Sequence, residues 1–95
     1  MATEVSFEWD PNKASKNVEK HQVSFEEAAT VFDDLMFITV IDDEHSFDEE
    51  RYITIGLSNE GRLLMVAHTD RKSRIRIISA RKATAKEEQF YVEAQ

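Results

Sequence analysis

The sequence predicts an α+β fold: an antiparallel sheet with two helices before it and one after it. Three observations predict this. Helix-start patterns at Asp10-Pro11 and at Ser24 open two helical stretches in the first third of the chain. Residues 51–57, 62–69 and 74–80 form three short apolar or alternating runs separated by four-residue turns, the pattern of a meander. A last helix-start pattern at Thr84 precedes residues 85–93.

The elements follow in order. Residues 5–9, VSFEW, alternate apolar and polar and predict a short strand. Asp10 suits an N-cap and Pro11 the first helical position, so a helix is expected over 11–21. Its apolar face is thin: Ala14, Val18 and His21. Ser24 with Glu27 forms a capping-box pattern, and Phe25, Ala28, Ala29 and Phe32 follow at helical spacing, so a second helix should end near Asp33. Residues 36–41, MFITVI, predict a strand buried on both faces. Residues 42–50 form an acidic loop. Three antiparallel strands and a final helix complete the order β-α-α-β-β-β-β-α, with the helices mainly on one face and Phe90 anchoring the last helix to the sheet.

Ninety-five residues suit one domain with one core, spanning 1–95. The chain has no Cys, which excludes disulfide scaffolds, thiol nucleophiles and thiolate metal sites. Its N-terminus lacks a basic region followed by an apolar run, and no apolar stretch approaches the roughly 20 residues of a membrane helix. A cytoplasmic protein without membrane contact is expected.

The formal net charge is −7, but it is unevenly spread. Residues 1–50 hold three Lys/Arg against 14 Asp/Glu; residues 62–82 hold seven against one. Such asymmetry suggests either a face that meets an anion or two halves that neutralise each other. In residues 74–80 the alternation sends Ile75 and Ile77 to one face and Arg74, Arg76 and Ile78 to the other. Arg74 and Arg76 then lie about 7 Å apart along the strand, which suits contact with successive phosphates of a nucleic acid. Arg81 and Lys82 carry the positive region to a helix N-terminus. His68 ends the preceding strand; beside arginines it is suited to acid–base work on a phosphodiester, and as a half-buried residue it is suited to hydrogen bonding in the sheet. His21 sits where a helix dipole favours a histidine, and His45 lies in the acidic loop as a solvated residue. That loop lacks the glycine and the spacing of a calcium site, so no metal and no other cofactor is expected. Trp9, Phe47, Tyr52 and Tyr91 are the aromatics that could stack on bases.

The stretches FEWDPNKASKNVEKHQVSFEEAATVFDD, ERYITIGLSNEGRLLMVAHTDR and RIRIISARKATAKEEQFY resemble the BrnT toxins of bacterial type II toxin–antitoxin systems, from Phe7 to Tyr91. The resemblance implies a RelE-like ribonuclease fold and a toxin that cleaves RNA and halts translation. It also implies a BrnA-like antitoxin with a ribbon-helix-helix part, whose dimer brings two toxins into a heterotetramer and alone contacts DNA. Carried over by position, the candidate residues are His68, Arg71, Arg76, Arg81, Lys82 and Tyr91, with Arg74 beside them; His21 belongs to the KHQVSFEEA motif. The last helix departs from the family pattern, with Ala85, Glu88 and Gln89 where basic residues are common.

Cleavage without a metal would use a neighbouring 2′-hydroxyl as nucleophile and the arginines of a rigid strand as preorganised countercharge, with His68, Arg76, Arg81 and Lys82 as the catalytic set and Arg71, Arg74 and Tyr91 holding RNA. The alternative is a catalytically weak or inactive module whose basic surface docks an acidic antitoxin segment and which acts in operon autoregulation. Direct DNA binding lacks a recognition helix.

Overall fold

The computed structural model describes residues 5–95. Its elements are β1 (Ser6–Glu8), α1 (Pro11–His21), α2 (Phe25–Thr30), β2 (Ile38–Ile41), β3 (Arg51–Leu57), β4 (Leu63–Arg71), β5 (Arg74–Lys82) and α3 (Ala85–Glu93). The strands form one sheet in the order β1-β5-β4-β3-β2. The α+β class and the element order are as the sequence predicts. The sheet is antiparallel except that β1 joins β5 in parallel, pairing Ser6, Phe7 and Glu8 with Arg74, Ile75 and Arg76. No turn links these two strands, so local pattern could not set their direction.

The caps account for the helix boundaries. Asp10 accepts from the Asn12 N–H, and the left-handed Gln22 ends α1. Ser24 accepts from the Glu27 N–H at 3.0 Å, but the expected reciprocal bond is absent. The Glu27 carboxylate turns away and accepts from Ser58 and Arg62 instead, tying α2 to the β3–β4 turn. Thr84 and Glu87 do form the full capping box of α3.

The core lies between the sheet and the first two helices. Val23, Phe25, Ala28 and Val31 pack against Leu64, Val66, Ile77 and Ala80. Gly56 faces the same side because a side chain there would meet Val31 at 2.7 Å. The third helix lies across the opposite face, where Phe90 shares a cleft with Val40, Ile53 and Ile55. The helices therefore flank both faces rather than one. The β2 strand also departs from expectation. It is an edge strand, and Val40 and Ile41 are exposed, because the sheet order leaves nothing outside it.

Two buried polar groups fix the layers. The Asn17 amide donates to the carbonyls of Val23 and Ala80, both at 2.8 Å, and accepts from the Ala80 N–H at 3.1 Å. It thus pairs with β5 beyond the end of β1 as a strand would. On the inner face of β4, His68 is 2% exposed, set edge-on to Phe32 and stacked on Tyr52. Its Nε2 accepts from the Thr54 hydroxyl at 2.7 Å, and Nδ1–H donates to Asp70 at 3.2 Å. Burial pushes the imidazole below its ordinary value against the pull of Asp70, so it is neutral in the fold.

Asn17→Ala leaves three buried backbone groups without partners and is expected to cost about 2–4 kcal/mol, about 10 °C or more in melting temperature. Asn17→Asp, which keeps the acceptor but lacks both donors, is expected to destabilise as well; a shift of only a few degrees in either variant would refute the strand-like role. For His68 the sign follows from linkage. The unfolded chain binds its proton near pH 6.5 and the folded one only at lower pH, so stability is full above the unfolded value and falls as pH drops below it. Denaturant unfolding at pH 7 and pH 5 should show this loss in the parent and a smaller one in His68→Gln.

Candidate active site

The sheet has two faces, and the predicted site residues do not share one. Register places Arg51 of β3, Thr69 of β4, Arg76 of β5 and Glu8 of β1 in a single row across the outer face, away from α1 and α2. His68 pairs with Ile77 and points inward, so the sheet lies between its ring and every arginine of this row.

The remaining candidates separate by their partners. Arg74 and Arg76 both donate to Glu8, at 3.4 and 3.1 Å. Arg71 makes a two-pronged contact with Glu49 at 3.0 Å, and Arg81 a similar one with Glu87 at 2.8 and 2.9 Å. These guanidinium groups hold the carboxyls of Glu8, Glu49 and Glu87 below the usual range. Tyr91 donates to Asp34 at 2.6 Å, and that bond pushes its phenol up to about 12, so it is a neutral donor. Lys82 is exposed at the end of β5. Arg74 and Arg76 are thus brought together with Arg71 nearby, whereas Arg81 with Lys82, Tyr91 and His68 each stand elsewhere.

The expected alternation of β5 holds only as far as Ile77. Ala67 pairs with Ser79 and His68 with Ile77, so Ile78 is an extra residue at a bulge. Beyond it the phase reverses. Ala80, not Ile78 or Ser79, returns to the core, and Arg81 joins the outer face.

A cleft of about 310 Å³ opens on the outer face at this bulge, lined by His45, Phe47, Glu49, Arg51, Thr69 and Ile78 among others. Three features distinguish it. The Thr69 hydroxyl is buried without any hydrogen-bond partner among the described residues. Arg51, its cross-strand neighbour, is the one arginine of six with no side-chain ion pair among the described residues. His45, expected to be solvated in the loop, has its Nδ1 tied to Asp42 at 2.9 Å, which leaves Nε2 open at the cleft wall. Phe47 is 84% exposed beside it. Sequence reading passed over Arg51, Thr69 and His45. Their meeting depends on strand register and on how the acidic loop folds back, and no spacing motif encodes either.

The chain matches the family described as ribonuclease toxin, BrnT, of type II toxin–antitoxin system over residues 9–87. The crystal structure of the Brucella abortus ribonuclease toxin, BrnT, is similar in fold with a TM-score of 0.62. It shares 20% identity over 85% of this chain and 99% of that one, a likeness that speaks to the fold alone. No curated protein matches in sequence. The match covers α1 and α2, the whole sheet from β2 to β5 and the start of α3, and by it the chain belongs to the BrnT family of ribonuclease toxins of type II toxin–antitoxin systems.

Proposed function

We propose that the chain is a metal-independent endoribonuclease that inhibits translation, acts in the cytoplasm and is neutralised by a BrnA-like antitoxin in a heterotetramer with two toxins. The observation that carries the reading is the Arg51–Thr69–Arg76 row. It places a buried hydroxyl, unpartnered among the described residues, on the strand between the two that carry Arg51 and Arg76. Two cations and a hydroxyl donor are what a phosphodiester needs as it becomes a more highly charged phosphorane.

In this reading the 2′-oxygen forms a bond to phosphorus while the bond from phosphorus to the 5′-oxygen breaks. The products are a 2′,3′-cyclic phosphate and a 5′-hydroxyl. Arg51 and Arg76 bear on the non-bridging oxygens, and the Thr69 hydroxyl gains an acceptor. His45, oriented by Asp42, takes the 2′-hydroxyl proton on its Nε2 and returns it to the departing 5′-oxygen. Asp48 and Glu49 are the carboxylates of the cleft lining, and Arg71 holds Glu49 ionised. Phe47 offers a ring on which a base can stack. In this reading the inward-facing His68 holds the sheet rather than the phosphate, while Arg74 shares Glu8, the carboxylate that orients Arg76, and Arg71 holds Glu49.

A second reading has one observation in its favour. Five of the six arginines are matched by carboxylates, which leaves less free positive charge than the sequence suggests and suits a module that docks an antitoxin.

Purified chain is expected to cleave RNA in the presence of EDTA. Arg76→Ala and Arg51→Ala should each slow cleavage by about 10²–10³-fold. Thr69→Val should slow it while leaving the melting temperature equal or higher, since it removes an unsatisfied buried hydroxyl. No cleavage by the parent, with tight antitoxin binding, would favour the docking module.

A further inference from the structure

A second groove, of about 180 Å³, runs along the free edge of β5, between the strand and α1. Lys13, Lys16, Lys20 and His21 line one side, and Ile78 and Ser79 line the other. Ile78 also lines the outer-face cleft, so the two meet at the bulge.

The charge here differs from the rest of the molecule. Each of the seven contacts between a basic side chain and a carboxylate among the described residues uses an arginine or a histidine, and none uses a lysine. Six lysines are therefore free of ion pairs among those residues, and three of them stand on this one groove. No acidic residue lines it among the described residues. The placement is enforced by the fold. Asn17 is anchored on Ala80, and Lys13, Lys16, Lys20 and His21 lie four before, one before, three after and four after it. The residues three and four away share its helix face and so border the same seam.

We propose that the α1 groove is a binding track for the phosphates of single-stranded RNA leading into the outer-face cleft at Arg51 and Thr69. The track rests on the reading of that cleft as the site of cleavage. Lysines suit it: they are mobile point charges that need no fixed partner geometry, and they hold a flexible polyanion without reading its sequence. A strand that leaves the cleft over Ile78 meets three of them in succession. The acidic loop that carries Asp48 and Glu49 to the cleft wall repels RNA on that side, which makes the groove on the other side of Ile78, with no acidic lining among the described residues, the favourable approach.

The test uses the full chain and an oligonucleotide with 2′-O-methyl groups, which cannot be cleaved by 2′-hydroxyl attack. Its affinity is measured between 50 and 200 mM salt for the parent, for Lys13→Gln/Lys16→Gln/Lys20→Gln, and for the control Lys72→Gln/Lys86→Gln. The triple variant is expected to bind at least tenfold more weakly, with the slope of log affinity against log salt smaller by about 2, as loss of three single-strand phosphate contacts requires. The control should keep the parental slope. A parental slope in the triple variant, or an equal loss per charge in the control, overturns the track and leaves the cleavage reading standing. So does retention of RNA binding with loss of antitoxin binding, which assigns the groove to a protein. A parent that neither binds nor cleaves RNA overturns both.

Discussion

The Asn17 side chain is the joint on which the molecule turns. The first strand accompanies β5 for only three residues, and beyond Arg76 the edge of β5 would carry bare backbone groups into the core seam. Asn17 answers the N–H and the C=O of Ala80 together and reaches back to Val23. A buried amide that meets three backbone groups has one place and one orientation. That single constraint sets the rotation of α1, aims Val23 and Phe25 into the core, and turns the lysines of the helix toward the strand edge. A helix that sends Ala14 alone of its apolar residues against the core, with the expected Val18 left exposed, could not be oriented so firmly by hydrophobic burial.

The bulge at Ile78 is the second constraint, and it works with the first. An unbroken β5 would send every second residue from Ile75 onward into the core. The extra residue instead returns Ala80 to the core, where Asn17 meets its backbone, and frees Ile78 to stand between two grooves. It also keeps Arg76 and Arg81 both on the outer face, although they are five residues apart and strict alternation would oppose them. Backbone irregularity of this kind re-aims side chains where a strand borders a site.

Much of the architecture was legible because it is local. Asp10-Pro11, Ser24 and Thr84 name the helix starts, and the three β-rich runs name the meander. What could not be read depends on distant partners. The direction of β1, the exposure of β2 and the opposite side taken by α3 all follow from sheet order. At the site, residues 74–82 pointed to a strand that borders the outer-face cleft, but the alternation that grouped Arg74, Arg76 and Ile78 fails at one inserted residue. His68 was singled out for its nearness in sequence to Arg71 and Arg74; adjacent pleats put it on the other face. Lys13, Lys16 and Lys20 were legible as a stripe in principle, since their spacing keeps them within reach of one helix face. Their meaning required knowing that Asn17 turns that face toward Ile78.

The division of labour between the two kinds of cation resolves the charge asymmetry. The two halves of the chain do neutralise each other: Glu8, Glu27 and Glu49 from the first half hold Arg74, Arg76, Arg62 and Arg71 from the second. Arginine suits such work because its planar fork fixes two oxygens at once and keeps its charge. These pairs orient backbone and side chains, and a paired arginine can still present its outer edge to a phosphate. Lysine gains less from fixed pairing and remains hydrated and mobile. A chain that commits five arginines to architecture must draw loosely held polyanions with what is left, which is its lysines and Arg51. Net charge is therefore a poor guide to this surface. The −7 belongs largely to the loop from Asp42 to Glu50 and to the helix ends, while the line from Lys13 past Ile78 to Arg51 is drawn in free cations.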